Sequence, residues 1–175
     1  MSGFVAERRR VYPGLDQVVL RSLVLIGAMG SIVAAQAAGA RPDLWGQVLL
    51  SVLAVVLAFR PESSAGAVLL IGLAYVWSMA TEPLSPLALV AAAGMVLVHE
   101  AAVIAAQGPP AMPVDPAQVL RTCRRGALLW LAAVTVWGLA LVADALPDGR
   151  LVYAVGLTLL LCLAAAAVTL LRPRR

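Results

Sequence analysis

Lysine is absent from this 175-residue chain, histidine occurs once, and cysteine occurs twice, at Cys123 and Cys162. These residues are too few for haem or metal ligation within one chain, and the two cysteines fit neither a metal motif nor a plausible disulfide. The phosphate-binding, metalloprotease and serine-hydrolase motifs GxxxxGK[ST], HExxH and GxSxG are absent as well. We therefore predict no catalytic residue, no metal, no cofactor and no enzyme activity.

Charged residues are also scarce, at 13%, whereas hydrophobic residues make up 62% of the chain and the mean hydropathy is +0.95. A soluble domain is about half apolar and about a quarter charged, and a chain of this length cannot bury such an excess in one core. The composition therefore indicates an integral membrane protein. It excludes a soluble enzyme, a disordered tail and a free-standing protein that binds nucleic acid.

Six apolar stretches predict an all-α, polytopic transmembrane bundle, over residues 18–40, 44–59, 65–81, 84–107, 126–146 and 151–171. A span needs about 20 residues, with about 17 near the lower limit, so the second and third stretches are short. The charged turn between them, Arg60 to Ser64, favours two spans whose connection lies in water, since an arginine at membrane depth costs about 2.5–3.5 kcal/mol. Four spans plus a re-entrant hairpin is the alternative.

The distribution of arginine predicts the orientation. A cytoplasmic N-terminus leaves only Arg41 and Arg150 outside, as the positive-inside rule favours, and it places ten arginines inside: Arg8, Arg9, Arg10, Arg60, Arg121, Arg124, Arg125, Arg172, Arg174 and Arg175. We predict a multi-pass plasma-membrane protein with cytoplasmic tails over 1–17 and 172–175, spans within 18–107 and 126–171, and a cytoplasmic loop over 108–125. A cleaved signal peptide that ends near 35–40 is the alternative to a retained first span.

The loop over 108–125 contains a helix start, with Asp115 as N-cap and Pro116 at the first helical position. We predict a short interfacial helix over 116–125 that runs into the fifth span, with Val119, Leu120 and Cys123 on one face. Its basic side would contact a partner subunit or anionic lipid through Arg121, Arg124 and Arg125. A solvated linker without helical structure is the alternative.

His99 and Glu100 form the outstanding polar feature, because they lie within the fourth apolar stretch. A carboxylate there requires a partner or a proton, and Arg21 in the first stretch is expected at a similar depth. Three interpretations of this cluster compete: a structural Arg21–Glu100 ion pair, a proton relay during transport, and a polar contact with another membrane subunit. A relay would need further polar residues along a water-filled path, for which the candidates are Gln36, Gln47, Ser51, Ser78, Thr81 and Thr135.

The chain resembles small polytopic membrane proteins of high-GC actinobacteria in its lack of lysine, its spans rich in Ala, Leu and Val, and its Arg-rich ends. The stretch from His99-Glu100 through Gln107-Gly108-Pro109-Pro110 and Asp115 to Arg124-Arg125 is similar to a group often encoded beside MoxR-type ATPase genes. This stretch covers about a sixth of the chain. The resemblance implies an accessory membrane component of a cytoplasmic, ATPase-linked system and transfers no catalytic residue.

These observations favour a non-catalytic accessory or scaffold subunit of a membrane complex, whose Arg-rich cytoplasmic face contacts another subunit or anionic lipid. The alternative is a small proton-linked transporter or channel that uses Glu100 and His99. The many small residues within the spans, such as Gly27, Gly30 and Gly94, permit close helix packing. They are compatible with a tight bundle or a homo-oligomer.

Overall fold

The computed structural model describes residues 14–107 and 114–145, together with the isolated Gly156. These ranges contain five helices: α1 (Leu15–Ala37), α2 (Leu44–Phe59), α3 (Ala65–Ser78), α4 (Leu87–Ala105) and α5 (Pro116–Asp144). They confirm the all-helical fold over the first five predicted stretches. Apart from Gly156, the predicted span over 151–171 lies outside the described residues, and so do Cys162, the tail over 172–175 and residues 1–13 of the N-terminal tail.

Three of the helices, α1, α4 and α5, are long and apolar enough to cross a membrane. This confirms the membrane character that the composition predicts. The apolar helices α2 and α3 are shorter, with 16 and 14 residues, which corresponds to about 24 and 21 Å of helix. Their lengths reproduce the short second and third stretches of the sequence.

Local capping interactions determine where several helices begin and end. Asp43 caps α2 by accepting a hydrogen bond from the Gly46 N–H at 3.3 Å. Asp115 caps α5 by accepting from the Ala117 N–H at 3.0 Å, and Pro116 follows it at the first helical position. The helix start predicted at Asp115-Pro116 is therefore confirmed. In both caps the side chain satisfies a backbone donor that the helix itself leaves free.

Gly39 ends α1 through its positive φ of 89°. The Ala40 N–H donates to the Ala35 carbonyl oxygen at 2.9 Å, and the Gly39 N–H donates to that of Gln36 at 3.0 Å. These two bonds form a Schellman motif, which satisfies the last carbonyl groups of the helix. The Ala38 carbonyl oxygen then accepts from the Glu82 N–H at 3.1 Å, so the end of α1 is attached to the connection between α3 and α4.

The helices alternate in direction, so the described bundle has two distinct ends. At one end, Gln17 of α1, the α2–α3 turn and Ala105 of α4 border one cavity. The start of α5 lies there too, because the Val114 N–H donates to Asp16 Oδ2 at 3.3 Å. We call this the basic end, since it holds Arg21, Arg60 and the arginines of the first turns of α5. The end of α1 and the start of α4 lie at the opposite end.

The backbones of α1 and α4 come into direct contact near the middle of both helices. A Cβ atom added to Gly27 would lie 2.7 Å from the Gly94 carbonyl oxygen, and one added to Gly94 would overlap the Ser31 side chain. Ser31 is buried, and its Oγ is 2.9 Å from the Gly27 carbonyl oxygen and 3.0 Å from that of Ala91. Small residues at this contact let the helices approach to backbone distance.

The last described helix, α5, is continuous from Pro116 to Asp144 and packs mainly against α4. Gly126 faces Val96 and Glu100, and the Trp130 and Trp137 indole N–H groups donate to the carbonyl oxygens of Leu89 and Leu84, each at 3.0 Å. Residues 116–125 are therefore helical and continue without a break into the fifth predicted stretch, as the sequence predicted. Cys123 is exposed and Leu120 is 72% exposed, whereas Thr122 and Gly126 face inward.

Candidate functional site

The polar side chains singled out in the sequence lie in the half of the bundle near the basic end, but they do not form one cluster. Arg21, His99 and Glu100 point into three different surroundings. The arginines at 121, 124 and 125 lie on a fourth surface, along the first turns of α5.

Arg21 borders a cavity of about 720 Å³ at the basic end. The cavity lies between α1, the α2–α3 turn and the end of α4, and its lining consists of Gln17, Arg21, Phe59, Arg60, Pro61, Glu62, Ser63, Ala105, Ala106 and Gln107. The Arg21 Nε atom is buried there and has no hydrogen-bond partner. Glu100 does not border this cavity.

The predicted ion pair between Arg21 and Glu100 is not formed. Across the described parts of the chain, the one ion pair within 4 Å joins Arg121 to Asp115. The sequence placed Arg21 and Glu100 at a similar depth but could not determine which way each side chain points around its helix. Arg21 points towards the α2–α3 turn, because it borders the same cavity as Arg60 and Ser63.

Glu100 is buried, with 8% of its surface exposed, on the side of α4 that faces α5. A Cβ atom added to Gly126 would lie 3.5 Å from Glu100 Cγ, so the lack of a side chain at Gly126 leaves room for the Glu100 side chain. Thr122, one turn earlier on α5, is buried as well. Glu100 therefore occupies the α4–α5 interface, which is a packing position.

His99 faces a different neighbour from Glu100, although the two residues are adjacent in the chain. The exposed His99 side chain borders a second, mainly apolar cavity of about 320 Å³, with Leu57 and Pro61 from the α2–α3 hairpin. Adjacent helical residues point about 100° apart, which explains the separation. His99 and Glu100 are thus not combined in one site.

Five of the six polar residues considered above as liners of a transport path make side-chain hydrogen bonds to backbone carbonyl groups, whereas Gln36 is exposed and makes none with the residues described. The side chains of Ser51, Ser78 and Thr135 each lie within hydrogen-bonding distance of a carbonyl oxygen three or four residues earlier in their own helices. The Gln47 amide donates to the Pro42 carbonyl oxygen, and Thr81 Oγ1 is 3.4 Å from that of Ala38. These hydrogen bonds satisfy the polar side chains within their own helices or at the end of the bundle opposite the basic end, away from Glu100.

The three arginines of α5 are exposed. Residues three and four apart share one side of a helix, so Arg121, Arg124 and Arg125 form a continuous basic surface, which we call the α5 arginine stripe. Arg121 Nε donates to the Ala117 carbonyl oxygen at 3.2 Å, and its guanidinium lies 3.9 Å from Asp115. Both side chains of that ion pair are well exposed, at 75% and 59%, so it contributes little to stability.

Two polar residues of the large cavity were missed by the sequence-based reasoning. Gln17 is only 3% exposed, and Ser63 Oγ is buried without a hydrogen-bond partner. Gln17 precedes Arg21 by four residues, which puts both on one face of α1; this spacing is a signal that the sequence contains. Ser63 gives no such signal, since its position depends on how the α2–α3 turn packs against α1.

Within the described ranges, no three His, Cys, Asp or Glu side chains lie close enough together to hold a metal ion. No family model matches the chain, and no curated protein or solved structure matches it significantly. The function must therefore be argued from the site itself.

Proposed function

We propose that this protein is a non-catalytic, accessory or scaffold subunit of a membrane complex, and that the α5 arginine stripe contacts an acidic surface of another subunit. The observation that carries the proposal is the exposure of Arg121, Arg124 and Arg125 on one side of α5. Within the described residues, only Arg121 has a carboxylate within 4 Å, at 3.9 Å. Guanidinium groups bind carboxylates through paired, charge-assisted hydrogen bonds, so the stripe suits an acidic partner.

The position of the stripe supports this assignment. Gly126 follows it directly and faces Val96 and Glu100 of α4, so the arginines run alongside the last turns of α4. Charged side chains at such a position are costly beside lipid tails unless they reach headgroups or a partner. An acidic subunit would supply the counter-charge that the described chain lacks here.

We further propose six spans in the plasma membrane, with the basic end and both termini in the cytoplasm. The α2–α3 turn supports two full crossings, because it shares a cavity with the start of α1 and the end of α4.

In a variant without native cysteines, we expect Arg60→Cys to react with an impermeant thiol reagent only from the cytoplasmic side. Arg41→Cys is the matched control and should react only from outside. Labelling of residue 60 from outside would contradict this topology.

Proton-linked transport through Glu100 and His99 is less well supported. The two side chains face different helices, and both cavities described above border the end of the bundle that holds Arg60 and Pro61. Four of the other polar residues considered for a path make hydrogen bonds to backbone carbonyl groups within five residues: Gln47, Ser51, Ser78 and Thr135. The accessory role therefore agrees better with the geometry.

The accessory role is tested by affinity purification of the full chain from native membranes in mild detergent, followed by mass spectrometry. We expect a stoichiometric partner that is lost when Arg121, Arg124 and Arg125 are all changed to Gln, because the substitutions remove the charge and retain polar side chains. Arg41→Gln is the control, since Arg41 is also exposed but lies at the opposite end.

The outcomes separate the alternatives. Loss of the partner from the triple variant, with an unchanged gel-filtration profile, supports a direct contact with the stripe. A partner retained in full by the triple variant would show that the stripe is not the contact. A protein that purifies alone or as a homo-oligomer would contradict the accessory role.

A further inference from the structure

The large cavity at the basic end contains hydrogen-bond donors that have no acceptor. Arg21 Nε and Ser63 Oγ are both buried and unpartnered, and both residues border this cavity. Gln17, which is 3% exposed, borders the same space and adds a buried amide. Buried polar groups are almost always hydrogen-bonded, because an unpaired one costs free energy. Two such groups, in residues that border one cavity, point to an acceptor that a ligand in the cavity would supply.

The charges that border the cavity favour an anion. Arg21 and Arg60 contribute two positive charges, Glu62 contributes one negative charge, and none of the three has an oppositely charged partner within 4 Å among the residues described. Glu62 is exposed, so water and salt screen its repulsion of a bound anion. A planar guanidinium presents paired donors whose spacing matches phosphate oxygens, and hydroxyl and amide groups can complete the contact.

We propose that this cavity binds a phosphate-bearing anion between α1 and the α2–α3 turn. Arg21 and Arg60 would pair with the phosphate, and Ser63 and Gln17 would donate further hydrogen bonds. The phosphate can come from an anionic phospholipid headgroup or from free phosphate. Phe59, which is 70% exposed and borders the cavity, is placed to contact an acyl chain if the ligand is a lipid. This site is separate from the α5 arginine stripe.

The test measures lipid retention and thermal stability of the purified full chain. After exchange into detergent with phosphatidylglycerol or phosphatidylcholine, native mass spectrometry counts the bound lipid. We expect selective retention of phosphatidylglycerol, reduced about tenfold or more in the Arg21→Gln/Arg60→Gln double variant, because two charge-assisted contacts are lost. Ser63→Ala should reduce retention less. Arg41→Gln, at the opposite end, should leave it unchanged.

Free phosphate is tested in a second arm, by adding inorganic phosphate to the protein in phosphatidylcholine nanodiscs. A rise in Tm that the double variant lacks would identify free phosphate as the ligand, whereas selective retention of phosphatidylglycerol alone would identify a headgroup. Absence of both effects, or equal binding by the double variant, would overturn the proposal. Arg60→Gln alone keeps the test decisive if Arg21→Gln disturbs folding, because Arg60 is exposed and its loss should still weaken binding several-fold.

Discussion

Replacement of Gly94 by alanine is expected to destabilise the bundle strongly, because Gly94 lies at the backbone contact between α1 and α4. The added Cβ would lie 2.5 Å from the Gly27 carbonyl oxygen and would overlap the buried Ser31 hydroxyl. A backbone carbonyl cannot rotate away as a side chain can, so α1 and α4 would have to separate. Overpacking of a tight contact costs about 1–3 kcal/mol and occasionally more. Unfolding of the purified protein in detergent, followed by circular dichroism during an SDS titration, measures the loss.

Gly30→Ala provides the matched control on α1. No atom lies within 4 Å of the position that a Cβ would take at Gly30, and alanine is favoured over glycine inside a helix by about 0.8–1.0 kcal/mol. We therefore expect Gly30→Ala to be neutral or stabilising. Gly27→Ala should resemble Gly94→Ala, because its Cβ would lie 2.7 Å from the Gly94 carbonyl oxygen. Equal stability of the Gly94→Ala and Gly30→Ala proteins would contradict the packing described here.

Gly39→Ala is expected to have the second large effect, for a different reason. Gly39 has a φ of 89°, a conformation that costs an L-amino acid with a side chain about 1–2 kcal/mol. An added Cβ would also overlap the Thr81 side chain. The substitution therefore strains the turn that ends α1 and separates it from the α3–α4 connection. Thermal unfolding in detergent should show a lower Tm.

A double-mutant cycle with Thr81→Ala divides this effect into its two causes. Thr81→Ala removes Oγ1, the atom that Cβ of residue 39 would overlap, while the Glu82 N–H still donates to the Ala38 carbonyl oxygen. In the Thr81→Ala background, Gly39→Ala should lower the stability mainly through the cost of its positive φ. The loss of stability should therefore be smaller than in the wild-type background. An unchanged effect would mean that the backbone conformation alone is responsible, and no effect in either background would contradict the positive φ.

The helices could be predicted from the sequence because they are long apolar stretches, and several of their ends are formed by residues with a local role. Asp43 and Asp115 accept hydrogen bonds from the N–H groups at the starts of α2 and α5, and Gly39 allows the backbone to leave α1. These interactions join residues at most a few positions apart. Local chemistry thus determines where these helices begin and end, whatever the helices pack against.

The candidate site could be predicted only in part. The sequence identified Arg21 and Glu100 as unusual polar residues within apolar stretches. In the structure Arg21 is half-buried and Glu100 is buried. Their pairing was wrong, because similar depth in two helices does not determine the direction of the side chains around each axis. The cavity with Gln17 and Ser63 could not be predicted, since it exists only where the α2–α3 turn meets α1 and α4.

The sequence by itself determined the membrane character, the helical class and the start of α5 at Asp115-Pro116, because these depend on composition and on contacts between near neighbours in the chain. The tertiary structure alone decided that Arg21 borders one cavity with Arg60 and Ser63, that Glu100 faces Gly126, and that Gly27 and Gly94 bring two backbones together. These arrangements depend on the rotation of each helix about its own axis. That rotation is determined by packing between residues far apart in sequence, and no local pattern specifies it.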